Sequence, residues 1–131
     1  GTVHSYNKDI TEAIKQFMTA VRIAKEVNMK TEVVNEYNYA LLMALKKDRL
    51  TYEPILNEAF EYGYSFSDED LKIINLSFIA STYLDKTYSL DSSKRDEISK
   101  RMSDLYGEDW QLSTKELAAK LDAEYSLRNP K

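Results

Sequence analysis

The most constraining feature of the sequence is a segment of about forty residues that occurs twice. Shifted by 39, residues 12–27 (EAIKQFMTAVRIAKEV) align with residues 51–66 (TYEPILNEAFEYGYSF). The aligned pairs are Phe17 with Leu56, Ala20 with Ala59, Val21 with Phe60, Ala24 with Gly63 and Val27 with Phe66. Helix-pair repeats of this length are typical of α-solenoids, whose stacked units expose a long groove. The repeat therefore predicts a binding module rather than an enzyme.

A second alignment, at a shift of 40, extends the repeat to the next helices. It places Val33-Val34-Asn35 on Ile73-Ile74-Asn75, Ala40 on Ala80 and Lys46 on Lys86. A weaker third copy continues the first shift, because Ala59 then reaches Ile98 and Phe66 reaches Leu105.

The composition favours helix throughout the chain. Only three Gly and two Pro occur in 131 residues, which disfavours the many tight turns of an all-β protein. We predict an all-α fold of about six helices, arranged as antiparallel hairpins in an α-solenoid within a single domain, 1–131. The net charge of −4 gives no electrostatic footprint for nucleic acid, and no apolar run approaches the ~20 residues of a membrane span. We expect a cytoplasmic protein that binds neither nucleic acid nor membrane.

Cap signals and apolar spacing divide the chain further. Residues 1–8 are predicted as a disordered or tag-derived start, because the chain begins Gly-Thr without Met, and we expect a piece of a larger protein. Residues 9–48 and 51–88 are predicted as repeat-like helix pairs, and 92–126 as a terminal pair. Six helices are predicted, and the first two cover 9–27 and about 31–48. The third has Pro54 in its first turn and ends at Gly63, and the fourth covers 71–88. The fifth runs from Ser92 or Ser93 to Gly107, and the sixth begins at the capping box Ser113-Thr-Lys-Glu116.

Two short motifs connect the repeat to a known family. The spacing Ala13-x3-Phe17-x2-Ala20 resembles the second helix of a tetratricopeptide repeat, and Asn38-Tyr-Ala40-Leu-Leu resembles the start of its first helix. The period of 39–40 is longer than that family's ~34, and the Trp and Gly of its first helix are missing. The longer period is similar to the irregular repeats of peptide-sensing regulators of Gram-positive bacteria. The resemblance implies a module that binds a peptide or protein segment.

The resemblance also implies where a peptide would lie. In this family the first helix of each pair lines the concave groove, where Asn side chains clamp a peptide backbone and Lys side chains meet its carboxylates. Asn35 and Lys46 are eleven residues apart, which is about 20° from one helical face, and the pair recurs as Asn75 and Lys86. Tyrosines that lie off the apolar stripe supply contact area. The predicted peptide-binding residues are Asn35, Tyr39, Lys46, Asn75, Tyr83 and Lys86. The alternative is a set of solvated polar positions that repeat by chance.

Other functions have weaker support in the sequence. His4 is the only histidine, no HExxH spacing occurs, and Asp68-Glu69-Asp70 suits the first turn of a helix, so we predict no catalytic residue, metal or cofactor. A helical enzyme that uses acidic residues remains an alternative. Another is the sensor domain of a transcription regulator whose DNA-binding part is absent. Residues 112–121 resemble the opening helix of a helix-turn-helix DNA reader, but no recognition helix follows. Since short repeat arrays expose an apolar end, a homodimer through a terminal helix is also a prediction.

Overall fold

The protein is all-α. The computed structural model describes the backbone of residues 2–128 and the side chains of residues 9–112 and 114–124. Within that part of the chain there are seven helices and no strand. The helices are α1 (Thr2–Glu26), α2 (Lys30–Leu45), α3 (Arg49–Tyr64), α4 (Asp68–Ile73), α5 (Ser77–Lys86), α6 (Ser92–Tyr106) and α7 (Trp110–Arg128). Across residues 2–128, every helix is too short or too polar to span a bilayer.

The chain forms two compact units, Gly1–Ala59 and Phe60–Lys131, and the boundary falls within α3. In the first unit, α1 packs along α2. The core side of α1 carries apolar residues at helical spacing, namely Ile10, Ala13, Ile14, Phe17, Val21 and Ala24. The ring of Phe17 stacks on Tyr39 of α2 at a centroid distance of 5.2 Å. Burial of this apolar side therefore holds the helix pair together.

A left-handed residue ends α1 where the sequence predicted a stop. Asn28 has φ 57°, a conformation that asparagine tolerates better than most residues. The N–H of Met29 then donates to the carbonyl of Ala24 at 2.9 Å, and that of Asn28 to Lys25 at 3.2 Å. This closure satisfies carbonyls at the end of α1 and turns the chain into α2.

In the second unit, α6 supplies side chains to the ends of three other helices. Arg101 donates to the carbonyls of Tyr64 and Phe66 at 2.8 and 2.7 Å, beyond the end of α3. Arg95 donates to the carbonyls of Leu84 and Thr87 at the end of α5. These carbonyls lie in or just after the last turn of a helix, where intrahelical donors run out, so α6 stabilises the unit by donating to them. Tyr106 of α6 bonds in the same way to carbonyls at the end of α4. Helix α5 also packs against α6 and α7.

The predicted helix limits differ from the structure in several places: α2 ends at Leu45 rather than near 48, and four other differences change where a helix begins or divides. α1 begins at Thr2 rather than at the predicted capping box of Asp9, while the prediction of a disordered or tag-derived start over 1–8 falls on residues whose side chains lie outside the described part. α3 begins at Arg49 because Asp48 caps it, so Pro54 lies inside the helix rather than in its first turn. Pro54 has no N–H for the carbonyl of Leu50, a residue that is 88% exposed.

The other two differences are in the second unit. The predicted helix over 71–88 is two helices, α4 and α5, separated at residues 74–76. α7 begins at Trp110, so the predicted capping box at Ser113 lies inside the helix. The structure agrees with the sequence at α6, whose residues Ile98 and Met102 are fully buried and whose end is Gly107. It also agrees at α4, where the Ser67 hydroxyl accepts from the N–H of Asp70 at 3.2 Å.

Candidate binding surfaces

The first unit has a groove along α1, with a volume of about 520 Å³. Six of its seven lining residues come from α1: Lys15, Met18, Thr19, Val21, Arg22 and Lys25. The seventh is Glu58 of α3. Because residues three, four and seven apart share one side of a helix, this set forms a single stripe next to the buried side of α1. We call this surface the α1 groove.

The α1 groove combines an apolar floor with a cationic rim. Val21 is buried and Met18 is half-buried, while Lys15 and Arg22 are exposed. Lys15 lies 3.8 Å from Glu12 in an exposed pair, and such pairs contribute little and exchange readily with solvent or a ligand. Three cations and one carboxylate give the groove a net positive charge in a chain of net charge −4.

Tyr37 contacts two charged side chains, Lys25 and Glu58, at one end of the α1 groove. Its hydroxyl donates to a carboxylate oxygen of Glu58 at 2.6 Å, and the Nζ of Lys25 lies 5.1 Å from the centre of its ring. A cation over a tyrosine ring is attracted by the negative face of that ring. Lys25 and Glu58 are thus oriented by one buried side chain before any ligand arrives.

The second unit has a wider and more polar cleft, of about 670 Å³, lined by residues of α5, α6 and α7. Arg95, Lys115, Ser99 and Asp85 are among the residues that line it. Arg95 already donates to two backbone carbonyls, which makes it a structural residue of this cleft. A single carboxylate, Asp85, lines the cleft among the described residues. The general acid and base pair that hydrolysis requires is therefore not assembled here by carboxylates.

The structure places the three predicted peptide-binding residues of the first unit differently from one another. Asn35 and Lys46 are exposed, with Lys46 at the C-terminal cap of α2. Tyr39 is 8% exposed and lies in the core against Phe17. The described middle of α2, residues 37–45, is buried or half-buried throughout. A ligand could therefore contact the two ends of α2 but not its middle.

The three predicted residues of the second unit each have a contact within that unit. Asn75 lies in the break between α4 and α5, and its side-chain oxygen accepts from the N–H of Ser77 at 2.8 Å. Tyr83 is half-buried, with its ring 3.9 Å from that of Phe60. Lys86 lies 3.8 Å from Asp85. Asn75 is thus outside the helix that carries Lys86, and the helical spacing that related Asn35 to Lys46 does not apply to this pair. A shared peptide site for all six residues stays a prediction.

A contact across the second unit joins two positions whose counterparts, at a shift of 39, both line the α1 groove. Tyr64 of α3 donates to Glu97 of α6 at 3.0 Å, with Lys94 and Arg101 over its ring at 5.1 and 4.7 Å. Positions 64 and 97 are each 39 beyond Lys25 and Glu58, the two residues at the end of the α1 groove. Burial first, and then the bond to Glu97, raise the pKa of the Tyr64 phenol. Bonds from Lys94 and Tyr64 lower the pKa of Glu97.

No group of three or more His, Cys, Asp or Glu residues is placed to hold a metal ion among the residues that the structure describes. The side chain of His4 lies outside that part of the chain. The α1 groove was not predicted from the sequence, although Lys15, Arg22 and Lys25 have the spacing of one helical side. No family model, curated protein or solved structure matches this chain.

Proposed function

We propose that this chain is a non-catalytic helical-repeat module, similar to tetratricopeptide repeats, that binds a segment of another protein. The observation that carries the proposal is that several positions related by a shift of 39 are buried in more than one helix. Ala24, Gly63 and Met102 are all buried, and so are Ala59 and Ile98. These aligned residues are core positions of α1, α3 and α6.

The second helices of the repeat support the proposal in the same way. At a shift of 40, the buried residues Val34, Tyr37, Ala40 and Ala44 correspond to the buried residues Ile74, Ser77, Ala80 and Leu84. Lys25 and Glu58, which both line the α1 groove, correspond to Tyr64 and Glu97, which form a hydrogen bond in the second unit. Units that repeat both core and contact positions are the building blocks of helical-repeat arrays.

The proposed mechanism is recognition by a surface that is already ordered. The helices that line the two clefts are packed on buried cores, so a ligand would not have to order them and binding would lose little conformational entropy. A surface of this kind selects partners through the charges and small apolar pockets that its helices present.

A selection of short random peptides displayed on phage, carried out against the folded chain, tests the proposal. We expect related peptides that bind the native chain and lose binding once the chain is unfolded in urea. NMR amide shifts should place these peptides on helix surfaces rather than at the chain ends. Recovery of no peptide that prefers the folded chain would contradict a binding module.

A further inference from the structure

We propose that the α1 groove binds an acidic amphipathic helix of a partner protein. This inference rests on the proposed function and names both the surface and the chemistry of its ligand. The rim supplies Lys15, Arg22 and Lys25, and these cations are complementary to carboxylates. The floor of Met18 and Val21 accepts apolar side chains from the same ligand.

The spacing of the cations favours a helical ligand over an extended one. Lys15 and Arg22 are seven residues apart on α1, a rise of about 10.5 Å, and Arg22 and Lys25 are three apart, about 4.5 Å. A helix laid along α1 has the same rise, so acids at intervals of three and seven residues would face all three cations. In an extended peptide, about 10.5 Å corresponds to three residue steps, and side chains at positions i and i+3 point to opposite sides.

The chemistry of the lining supports the same choice. Extended peptides are held largely through their backbone, by a strand edge or by side-chain amides. The residues that line the α1 groove include no Asn or Gln, and residues 2–128 contain no strand. A helical ligand satisfies its own backbone and needs only side-chain contacts, which are what the groove offers.

Glu58 would determine the orientation of the bound helix along the α1 groove. It lies at the Lys25 end of the groove, where the Tyr37 hydroxyl holds its carboxylate. A partner acid opposite Glu58 would be repelled, whereas a partner lysine there would be attracted. The groove thus favours a helix whose acids face the three cations and whose residue opposite Glu58 is neutral or basic.

The test uses three synthetic helical peptides of matched length. The first has Glu at three- and seven-residue intervals on one side with Leu between them, the second has these Glu moved to the opposite side, and the third has Lys in their place. Binding to the chain and to its variants is measured by fluorescence anisotropy at about 50 mM salt, where screening is weaker than at physiological strength. A single-stranded oligonucleotide of equal charge serves as a further probe.

We expect the first peptide alone to bind, and its NMR shifts to map to Met18, Thr19 and Arg22. Arg22→Glu should weaken binding by about tenfold or more, since a partner carboxylate then meets a like charge. The control Arg49→Glu reverses an exposed arginine of the same unit outside the groove, and should change affinity less than about twofold. The Lys peptide should bind Arg22→Glu better than the unaltered chain.

Several outcomes would overturn the inference. They are no binding of the first peptide, equal binding of the first two peptides, equal losses from Arg22→Glu and Arg49→Glu, or equal affinity for the oligonucleotide. If display peptides nevertheless bind the folded chain at another surface, the proposed function survives and only the α1 groove fails. If neither experiment yields a ligand, both proposals fail.

Discussion

Replacing Tyr106 with Phe tests whether α6 holds the break between α4 and α5. The Tyr106 hydroxyl lies 2.6 Å from the carbonyl oxygen of Leu71, 2.9 Å from that of Ile74 and 3.0 Å from the N–H nitrogen of Leu76. Burial, the largest cause, raises the pKa of this phenol, so it remains a donor at neutral pH. One hydrogen can be donated to one carbonyl at a time, while the oxygen accepts from Leu76.

The expected loss follows from that count. Tyr106→Phe removes one donated and one accepted hydrogen bond, each worth about 1 kcal/mol net, and keeps the ring in place. The N–H of Leu76 also loses its acceptor in a part-buried position. We therefore expect the free energy of unfolding to fall by about 2 kcal/mol.

Urea unfolding followed by tryptophan fluorescence measures this loss in the right unit. Trp110 is the only tryptophan, it is buried, and it belongs to the second unit. Tyr88→Phe is the matched control, because Tyr88 is 77% exposed and its hydroxyl should contribute less than about 0.5 kcal/mol. If the two variants lose the same stability at an unchanged denaturant slope, the break is not held by Tyr106 and the reasoning is wrong.

Two further substitutions test local features. Gly63→Ala places a Cβ 2.3 Å from Cδ1 of the fully buried Leu76. The overpacking costs about 1–3 kcal/mol and should exceed the ~1 kcal/mol gained in helix propensity, so the urea midpoint followed by Trp110 fluorescence should fall. A rise in that midpoint would show that Leu76 moves aside freely. Asp48→Ala removes the cap that accepts from Thr51 and should lower the thermal midpoint measured by circular dichroism at neutral pH. Bonds from the Thr51 hydroxyl, and then from its N–H, lower the pKa of Asp48 in the folded chain. The difference in thermal midpoint between Asp48→Ala and the unaltered chain should therefore be complete above the unfolded pKa of about 3.9 and vanish as pH falls through the folded pKa. A difference in midpoint that persists at lower pH would contradict the cap.

The helical class could be predicted from the sequence because its signals are local. The scarcity of Gly and Pro, the spacing of apolar residues on α1 and the stop at Asn28 all act within one or two helical turns. The same holds for α6, where Gly107 closes the helix with φ 97°. These features need no partner from elsewhere in the chain.

The break between α4 and α5 could not be predicted in this way. Ile73-Ile74-Asn75 aligns with Val33-Val34-Asn35, which lies within the unbroken helix α2. What differs is a contact distant in sequence, because Tyr106 bonds to the backbone groups that the break leaves unpaired. A tertiary contact thus overrides similar local sequences, and it moves Asn75 off the helix that the predicted peptide site required.

The predicted site also depended on which helix of each pair is open, and this is set by packing rather than by spacing. Asn35 and Lys46 are both exposed, one within α2 and one at its C-terminal cap, but residues 37–45 between them are buried or half-buried. α1 buries one stripe and leaves another available, so its cations reach a groove. The sequence contains both the Asn and Lys spacing on α2 and the cation spacing on α1. Only burial distinguishes the side of a helix that packs in the core from the side that is exposed.

The open side of α1 has a counterpart in the repeat, and the two differ in charge. At a shift of 39, Thr19, Arg22 and Lys25 correspond to Glu58, Glu61 and Tyr64. Three aligned pairs are buried in both helices, Phe17 with Leu56, Val21 with Phe60 and Ala24 with Gly63, whereas the exposed pair Arg22 and Glu61 differs in sign. In the proposed binding module, selectivity would come from exposed positions such as these. That is why the charge of Arg22 is the feature whose reversal most directly tests what the module binds.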